Sequence, residues 1–455
     1  MMKKNPILVV LATILVLSLF ACAPQAQPAT PEVEEPVVVE PTEAVVVEEP
    51  AATEPVAPPV QEEVTIRALI RPDEGANIAT FSEKFTAETG IKVEVDFVGW
   101  AEIHDKTITT LAGGGGGYDI IFVPSANVAE FTAGGWFEPI NDLITPETKA
   151  DWLESVVNMY TIDGNLLAMP WYAGGAHMVY NGAILEAAGV DVTTITTWED
   201  FMGACEAIAA ADAADFCFST SAKYPGNYYY NLGSMVASGG ETFFDAEGAP
   251  VFADGEYTLA SLEMIKTGIE AGYFDPAGIA LDDYETLIEF GAGTTAFMIN
   301  STWSATQATR NPELSTVTDS AGIMLIPGWT EEKRSGGVLY AGGLGLLASS
   351  EHKEEAKQFL TYITSEEAQK QHAVDGGNLP TRNALYADAD ITAAWPGFAT
   401  LAEQLPYGVF PPQFSWFEEW RQSAATAVQD VIAGSKTPAE AVEWLTAETT
   451  RIQND

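Results

Sequence analysis

Residues 64–123 read VTIRALIRPDEGANIATFSEKFTAETGIKVEVDFVGWAEIHDKTITTLAGGGGGYDIIFV. Val64 to Ile70 alternates apolar and polar residues like a half-buried strand. Ile78 to Thr89 has the 3.6-residue spacing of an amphipathic helix, closed by Gly90. Ile91 to Val98 alternates again, Ala101 to about Leu111 reads as a second helix, and Asp119 to Val123 is a short apolar strand. Strand, helix, strand, helix, strand predicts an α/β fold with a parallel sheet. In such open sheets ligands sit beyond the carboxyl ends of the strands. The five glycines Gly113–Gly117 are a turn, because a phosphate-binding loop follows a strand and ends in Gly-Lys-Ser/Thr, whereas this run follows a helix and precedes a strand.

Upstream, Lys3 and Lys4 precede the apolar run Ile7–Phe20, which is too short to span a bilayer comfortably and reads as a signal peptide over 1–21. The run ends Leu19-Phe20-Ala21-Cys22, which resembles the lipobox of bacterial lipoproteins and implies a lipidated Cys22. Several acyl chains anchor firmly, since each buried methylene contributes about 0.8 kcal/mol. From residue 22 to 63 the chain is almost wholly Pro, Glu, Val, Ala, Thr and Gln. It cannot build a core, and its prolines and mutually repelling glutamates make a disordered, semi-stiff tether.

The remaining body, Val64 to Asp455, is large enough for two lobes. The chain is 47% hydrophobic and 10% aromatic, with 20 Lys+Arg against 65 Asp+Glu and a net charge of −45. Ten of the acidic residues lie in the tether, so the body itself is acidic. Such a field repels nucleic acid and keeps the protein soluble outside a cell. Cys205 and Cys217 lie twelve positions apart. In an oxidising exterior they can close a loop between the helix Trp198–Ala210 and the following strand, worth on the order of 3 kcal/mol. A pair of buried free thiols is the alternative, and no histidine stands at metal-ligand spacing beside them.

Five segments in order resemble the family 1 extracellular solute-binding proteins of ABC importers, a carbohydrate-type, maltose-binding-protein-like group. They are YDIIFVPSANVAEFTAGGWFEPIND (118–142), IDGNLLAMPWYAGGAHMVYNGAILEAAGVDVTTITTWEDF (162–201), FGAGTTAFMINSTWSA (290–305), the Gly-Gly strand through the Gly-x-x-Pro-x-Arg turn (337–385), and the closing helices from Trp420. The resemblance implies a two-lobed, type II periplasmic-binding-protein-like α/β fold with a ligand cleft between the lobes, closing by a hinge. It divides the body into 64–173 with 327–384 as lobe one, and 174–326 with 385–455 as lobe two. It also implies an extracytoplasmic, lipid-anchored, monomeric partner of ABC permease subunits, touching membrane only through its anchor.

No catalytic pattern is present: His104, His177, His352 and His372 lack zinc-peptidase spacing, and there is no Gly-x-Ser-x-Gly elbow. No cofactor or metal is expected. A sugar offers an apolar C–H face and a rim of hydroxyls, so its site combines aromatic faces with hydrogen-bonding groups. The aromatic candidates are Trp100 after the second strand, Trp171 and Tyr172 after Pro170, Trp303 after a strand at 298–300, and Trp416 and Trp420 before the last long helix. Tyr228, Tyr229 and Tyr230 lie in a loop where relatives place a stacking tyrosine. Polar candidates are Ser125 and Asn127 after the third strand, Arg71, Asp73 and Glu74 after the first, the Gly342–Gly343 backbone, and Arg382. Asp119 reads as a strand-entry cap. Gly174 stands where the maltose-binding protein has an acidic residue, so maltose specificity does not transfer. A mono- or oligosaccharide is the expected ligand. A polyol, a polyamine or another small solute on the same fold is the first alternative, and a surface-anchored glycosidase or adhesion module the second.

Overall fold

The structure is a computed structural model that describes residues 64–71, 78–224, 228–332, 335–395 and 397–454, without the side chains at 100 and 101. Cys22, the signal and tether segments, Asp73 and Glu74 lie outside the described residues.

The opening segment folds as its periodicity predicts. β1 (Thr65–Ile70) and β2 (Lys92–Phe97) pair in parallel, with Ile66 opposite Val93 and Ala68 opposite Val95. β3 (Ile120–Pro124) pairs in parallel with β1 on its other side. The helix Ile78–Thr89 buries Ile78, Phe81, Ser82 and Phe85, the stripe that an i, i+3, i+4, i+7 pattern creates. Gly114 to Gly117 all adopt positive φ, and a Cβ on Gly115 would lie 2.5 Å from Ser349 Oγ. The run is therefore a turn that only glycine can make.

A short hairpin, β4 (Thr161–Ile162) and β5 (Asn165–Leu166), leads into the thirteen-residue β6 (Met169–Asn181). β7 (Phe216–Ser219), β8 (Phe274–Asp275) and β9 (Thr295–Ser301) build the second half of the sheet, followed by β10 (Ala321–Met324), the long β11 (Gly337–Leu346) and β12 (Gly408–Val409). The strand order is β2-β1-β3-β11-β6-β9-β7-β8, with β10 beside β6 and β12 beside β11.

Two strands carry the chain between two hydrophobic cores. Met169 to Ala173 of β6 belong to the first core, with Ile66, Phe122 and Leu344; Ala176 and Met178 of the same strand belong to the second, with Phe201, Phe297 and Trp420. β11 runs antiparallel to β6 and likewise places Leu344 in the first core and Val338 in the second. Gly174 and Gly175 fall at the transition. A Cβ on Gly174 would lie 2.3 Å from the Tyr340 ring, so the ring lies directly against the bare backbone of the neighbouring strand.

Trp329 and Val338 pack with the second core, and Leu385, Ile391, Trp395, Phe398 and Leu401 with the first. We therefore propose that the lobes exchange chain near 174–175, within β11 and between Leu401 and Phe417, rather than at 326 and 384. The physical reason is that the short helices after Leu385 keep burying apolar faces against the first core.

In the second lobe, Cys205 and Cys217 are joined in a disulfide, Cα atoms 5.2 Å apart, which ties the helix Trp198–Ala210 to β7. That helix opens on a capping box between Thr197 and Asp200. Tyr228 to Tyr230, expected in a loop, form the first turn of a helix, Tyr228–Ala237, because Tyr228, Tyr229, Leu232, Met235 and Val236 bury one continuous face.

Gly343 on the crossing strand tests the packing. A Cβ there would approach the fully buried Tyr160 ring to 2.7 Å, and the Tyr160 hydroxyl donates to the Val123 carbonyl at 3.0 Å. Gly343→Ala is expected to lower unfolding free energy by about 1–3 kcal/mol through overpacking. A urea midpoint equal to wild type would show that the strand has room.

Candidate functional site

A cavity of about 630 Å³ opens between the two cores. The first lobe contributes Arg71 after β1, and Pro124, Ser125 and Ala126 after β3. The second contributes Lys223 after β7, Asp282–Tyr284 after β8, and Ser301 and Trp303 after β9. All of these lie at or beyond the carboxyl ends of strands, where helix N-termini and loops leave polar backbone available. Tyr172 and Tyr340, from the crossing strands, form the floor.

Aromatic faces dominate this lining. Tyr172 lies nearly parallel to Phe122, ring centroids 6.2 Å apart, and meets Tyr340 edge-on at 6.4 Å. Tyr340 in turn lies 5.8 Å from Tyr230. Trp303 follows Ser301, whose side chain caps the helix Thr302–Arg310 and so fixes the direction of the first turn. Ser125 is buried; its Oγ accepts from the Ala341 amide at 3.0 Å and its carbonyl accepts from Gln413 Nε2 at 2.9 Å. It joins the end of β3 to β11 as part of the cavity wall.

The charges at the cavity are paired. Lys223 Nζ lies 3.0 Å from both Asp282 and Glu285, and Asp282 caps the helix Asp283–Gly291 through a capping box with Glu285. Burial pushes the Asp283 carboxyl above its ordinary value, while Arg71 of the other lobe pulls it down. Arg421 Nη1 donates to Glu418 at 2.8 Å, and Glu418 also accepts from the Tyr224 hydroxyl at 2.6 Å. The Arg421 guanidinium lies 5.7 Å from the Tyr229 ring centroid. Its Nε is buried with no hydrogen-bond partner among the described residues. At the cleft margin, His104 of the first lobe contacts Glu130 at 2.9 Å and Asp105 at 3.1 Å. The hydrogen bond to Glu130 is the main cause that raises its pKa to about 9, and Glu418 of the second lobe adds to the effect. His104 is thus a cation at neutral pH.

Of the residues singled out in the sequence, Ser125, Tyr172, Tyr229, Tyr230 and Trp303 line the cavity, as does Arg71. Others lie elsewhere. Trp171 falls where the β6–β11 register shifts, between Pro170 opposite Gly343 and Tyr172 opposite Gly342, and it packs 5.4 Å from Tyr172 and 5.2 Å from His372 without lining the cavity. Tyr228 is buried and its hydroxyl donates to the Arg421 carbonyl. Asn127 donates to Glu130 at 3.3 Å. Gly343 faces Tyr160. Arg382 pairs with Asp151 at 2.6 Å and lies 3.9 Å from the Trp152 ring centroid. Trp416 stacks on Phe414 at 4.9 Å, and Trp420 is fully buried with its indole N–H donating to Thr449. The Trp100 side chain lies outside the described residues. Asp119 takes the capping place expected of it, accepting from the Arg67 amide and the Ser350 hydroxyl.

Sequence reasoning passed over Lys223, Asp282, Asp283, Tyr284, Tyr340 and Arg421. The one local signal was the Asp-x-x-Glu capping pattern at Asp282 and Glu285, which marks a helix start where a ligand can approach.

The chain matches the family model described as bacterial extracellular solute-binding protein over residues 65–370. It is 27% identical over 299 residues to the mannitol-binding protein of Pseudomonas aeruginosa, spanning 64% of this chain and 67% of that one. It is 25% identical over 380 residues to the diacetylchitobiose binding protein DasA of Streptomyces coelicolor, spanning 81% and 85%. The maltose-bound T. maritima MalE3 structure superposes with a TM-score of 0.76 at 21% identity, covering 86% of this chain and all of that one.

Two tryptophans separate packing from lining. Trp420→Ala should cost about 3–5 kcal/mol of stability, as for other large core truncations. Trp303→Ala, at the cavity, should change stability by no more than roughly 1 kcal/mol. Equal losses in chemical denaturation would contradict this assignment.

Proposed function

The chain belongs to the bacterial extracellular solute-binding protein family, and from that premise we propose that its cleft captures a mono- or oligosaccharide and closes on it by a hinge. The family acts outside the cytoplasm with ABC permeases, and its members are binding proteins rather than enzymes. The observation that carries the ligand class is the lining itself. Faces of Tyr172, Tyr229, Tyr230, Trp303 and Tyr340 surround a cavity of about 630 Å³, with hydrogen-bonding groups set among them. Rings meet the C–H face of a sugar and the polar groups meet its hydroxyls.

The charge pattern argues for an uncharged ligand. Asp282 is neutralised by Lys223, Asp283 is opposed by Arg71, and Glu418 holds Arg421. Among the described residues each carboxylate that lines the cavity has a basic neighbour, which disfavours a polyamine. An alditol satisfies the same groups, and the similarity to a mannitol-binding protein supports that second reading.

Closure is carried by β6 and β11, with strands that persist through the crossing and bend at its glycines. In this reading Cys22 is lipidated, and residues 22–63 tether a monomeric binding body near its permease at raised effective concentration.

A thermal-shift screen of residues 64–455 against sugars, alditols and polyamines tests the ligand class. A binder at a hundredfold excess over its dissociation constant adds about 2.7 kcal/mol of stability. A shift with spermidine and none with any sugar or alditol would overturn the reading. With a binding sugar, Trp303→Ala should weaken affinity by roughly tenfold, about 1.4 kcal/mol. For the anchor, Cys22→Ala should release the protein from membranes and reduce uptake while leaving the dissociation constant unchanged; retention on the membrane would remove Cys22 as the attachment point.

A further inference from the structure

Where β9 gives way to the helix Thr302–Arg310, three consecutive residues each hold a different part of the cavity wall. Asn300 is fully buried, and its side-chain amide donates to the Asp283 carbonyl at 2.9 Å. Ser301 caps the helix, its Oγ accepting from the Ser304 amide at 3.2 Å. Thr302 is fully buried as well, and its hydroxyl reaches β6. The Gly175 amide donates to Thr302 Oγ at 2.8 Å, and Oγ donates to the Gly175 carbonyl at 3.3 Å. His177 Nε2 lies 2.9 Å from the same oxygen. Burial pushes the His177 imidazole down to about 3, so the contact joins neutral groups at neutral pH. A hydroxyl has one hydrogen to give and two lone pairs to offer, and all three are used when His177 carries its proton on Nε2.

The position of this contact in the sheet gives it its consequence. The ladder between β6 and β9 stops at Ala176 opposite Ser301. One residue earlier on β6 stands Gly175, beyond the last pair, and there the Thr302 side chain serves both the N–H and the C=O. Buried backbone groups left without partners are costly, so a hydroxyl at this place completes the ladder. Gly174 and Gly175 are also where β6 leaves the first core and enters the second. The helix itself packs with the second half of the sheet, Ala305 and Ala308 against Val179 and Met298. Yet it is bonded to the first lobe along its length. Thr306 Oγ donates to the Gly377 carbonyl at 3.3 Å, and Arg310 Nη2 to the Val374 carbonyl at 3.1 Å. Trp303, which lines the cavity, is thus presented by a turn anchored at the crossing point of β6 rather than by β9 alone.

We propose that Thr302 is a positioning residue for Trp303: its hydroxyl fixes the first turn of the helix to β6 where that strand passes between the lobes, so that the stacking face is set from the hinge and follows it as the cleft closes. The inference rests on the reading of this cavity as the ligand site and of β6 as a hinge strand. The Ser301 cap fixes the backbone of the turn locally. What the cap leaves free is the placement of that turn against the sheet, and the Thr302 hydroxyl removes this freedom. Stacking depends on ring placement to within a fraction of an ångström, so a support one residue away governs affinity without touching ligand. A valine has the shape of threonine but leaves the Gly175 groups without the hydroxyl and the turn free to shift.

The experiment compares the full chain with Thr302→Val, which loses the hydroxyl, Thr302→Ser, which keeps it, Trp303→Ala, and the double variant Thr302→Val with Trp303→Ala. Dissociation constants are measured for maltose and mannitol. The surroundings of Trp303 are followed by fluorine NMR of fluorotryptophan-labelled protein, its resonance assigned by its loss in Trp303→Phe. Thr302→Val is expected to weaken binding roughly five- to twentyfold and to broaden or split the Trp303 resonance. Thr302→Ser should stay within about twofold of wild type, with a single sharp line. In the Trp303→Ala background Thr302→Val should cost no more than about twofold further, because no ring is left to place. The same loss in both backgrounds overturns the proposal, as does wild-type affinity in Thr302→Val or a Thr302→Ser as weak as Thr302→Val. If neither compound binds any form, the carbohydrate reading is what fails, and the fluorine spectrum of the unliganded protein decides for or against Thr302: a single unbroadened Trp303 line in Thr302→Val overturns its role. Should Thr302→Val not fold, Thr302→Ala removes the same hydroxyl and is judged by the same outcomes.

Discussion

The antiparallel pairing of β6 with β11 is the contact on which the rest of the molecule depends. Each strand begins in one hydrophobic core and ends in the other, so the two lobes share a continuous hydrogen-bonded ribbon rather than a linker. A ribbon of two strands bends across its pleat more easily than it shears, because shear would break ladder hydrogen bonds whereas bending strains none of them fully. Small residues cluster where the cores part: Ala173, Gly174, Gly175 and Ala176 on one strand, Ala341, Gly342 and Gly343 on the other. They let Tyr172 and Tyr340 fill the space that larger neighbours would occupy, and so the hinge supplies the floor of the cavity as well as its freedom to close.

Around this floor the protein brings cations and carboxylates together although it carries a large net negative charge. The cavity concentrates three of its few basic residues, Arg71, Lys223 and Arg421, and assigns each to an acidic neighbour. Pairing keeps the groups ionised while they are partly withdrawn from water, since an unpaired buried charge would be neutralised or would open the site. The outcome is a polar but nearly neutral lining, suited to hydroxyl groups. Hydrogen-bond directions are held in place by second partners: Glu418 is fixed by Tyr224 as well as Arg421, and Asp282 by the helix it caps.

The same constraint explains why the second lobe has fewer degrees of freedom than its loop-rich surface implies. β7, β8 and the helix Asp283–Gly291 exchange backbone and side-chain hydrogen bonds over most of their connecting segments. Across the cleft, the positive charge of His104 and the carboxylate of Glu418 in the opposite lobe favour each other's charged forms.

Local order was written in the chain. The alternation of Val64–Ile70 and Ile91–Val98, the apolar stripe of Ile78–Thr89 and the capping residues at Thr197 and Asp200 set the elements, because periodicity and capping act within a few residues. With the ordered motifs from 118 onward they also determined the two-lobed α/β fold. The cavity lining was decided elsewhere. Trp171 and Tyr172 are adjacent, and it takes the register shift between β6 and β11 and the packing around it to leave Tyr172 at the cavity and Trp171 away from it. Trp420 and Arg421 are adjacent on one helix, yet the core takes the first and the cavity the second, since a helix turns by about 100° per residue. Glu289 meets Ser219 across 70 residues of sequence. A periodic pattern states that a face is to be buried; what it will be buried against is a property of the folded chain, and the chemistry of the site depends on that second fact.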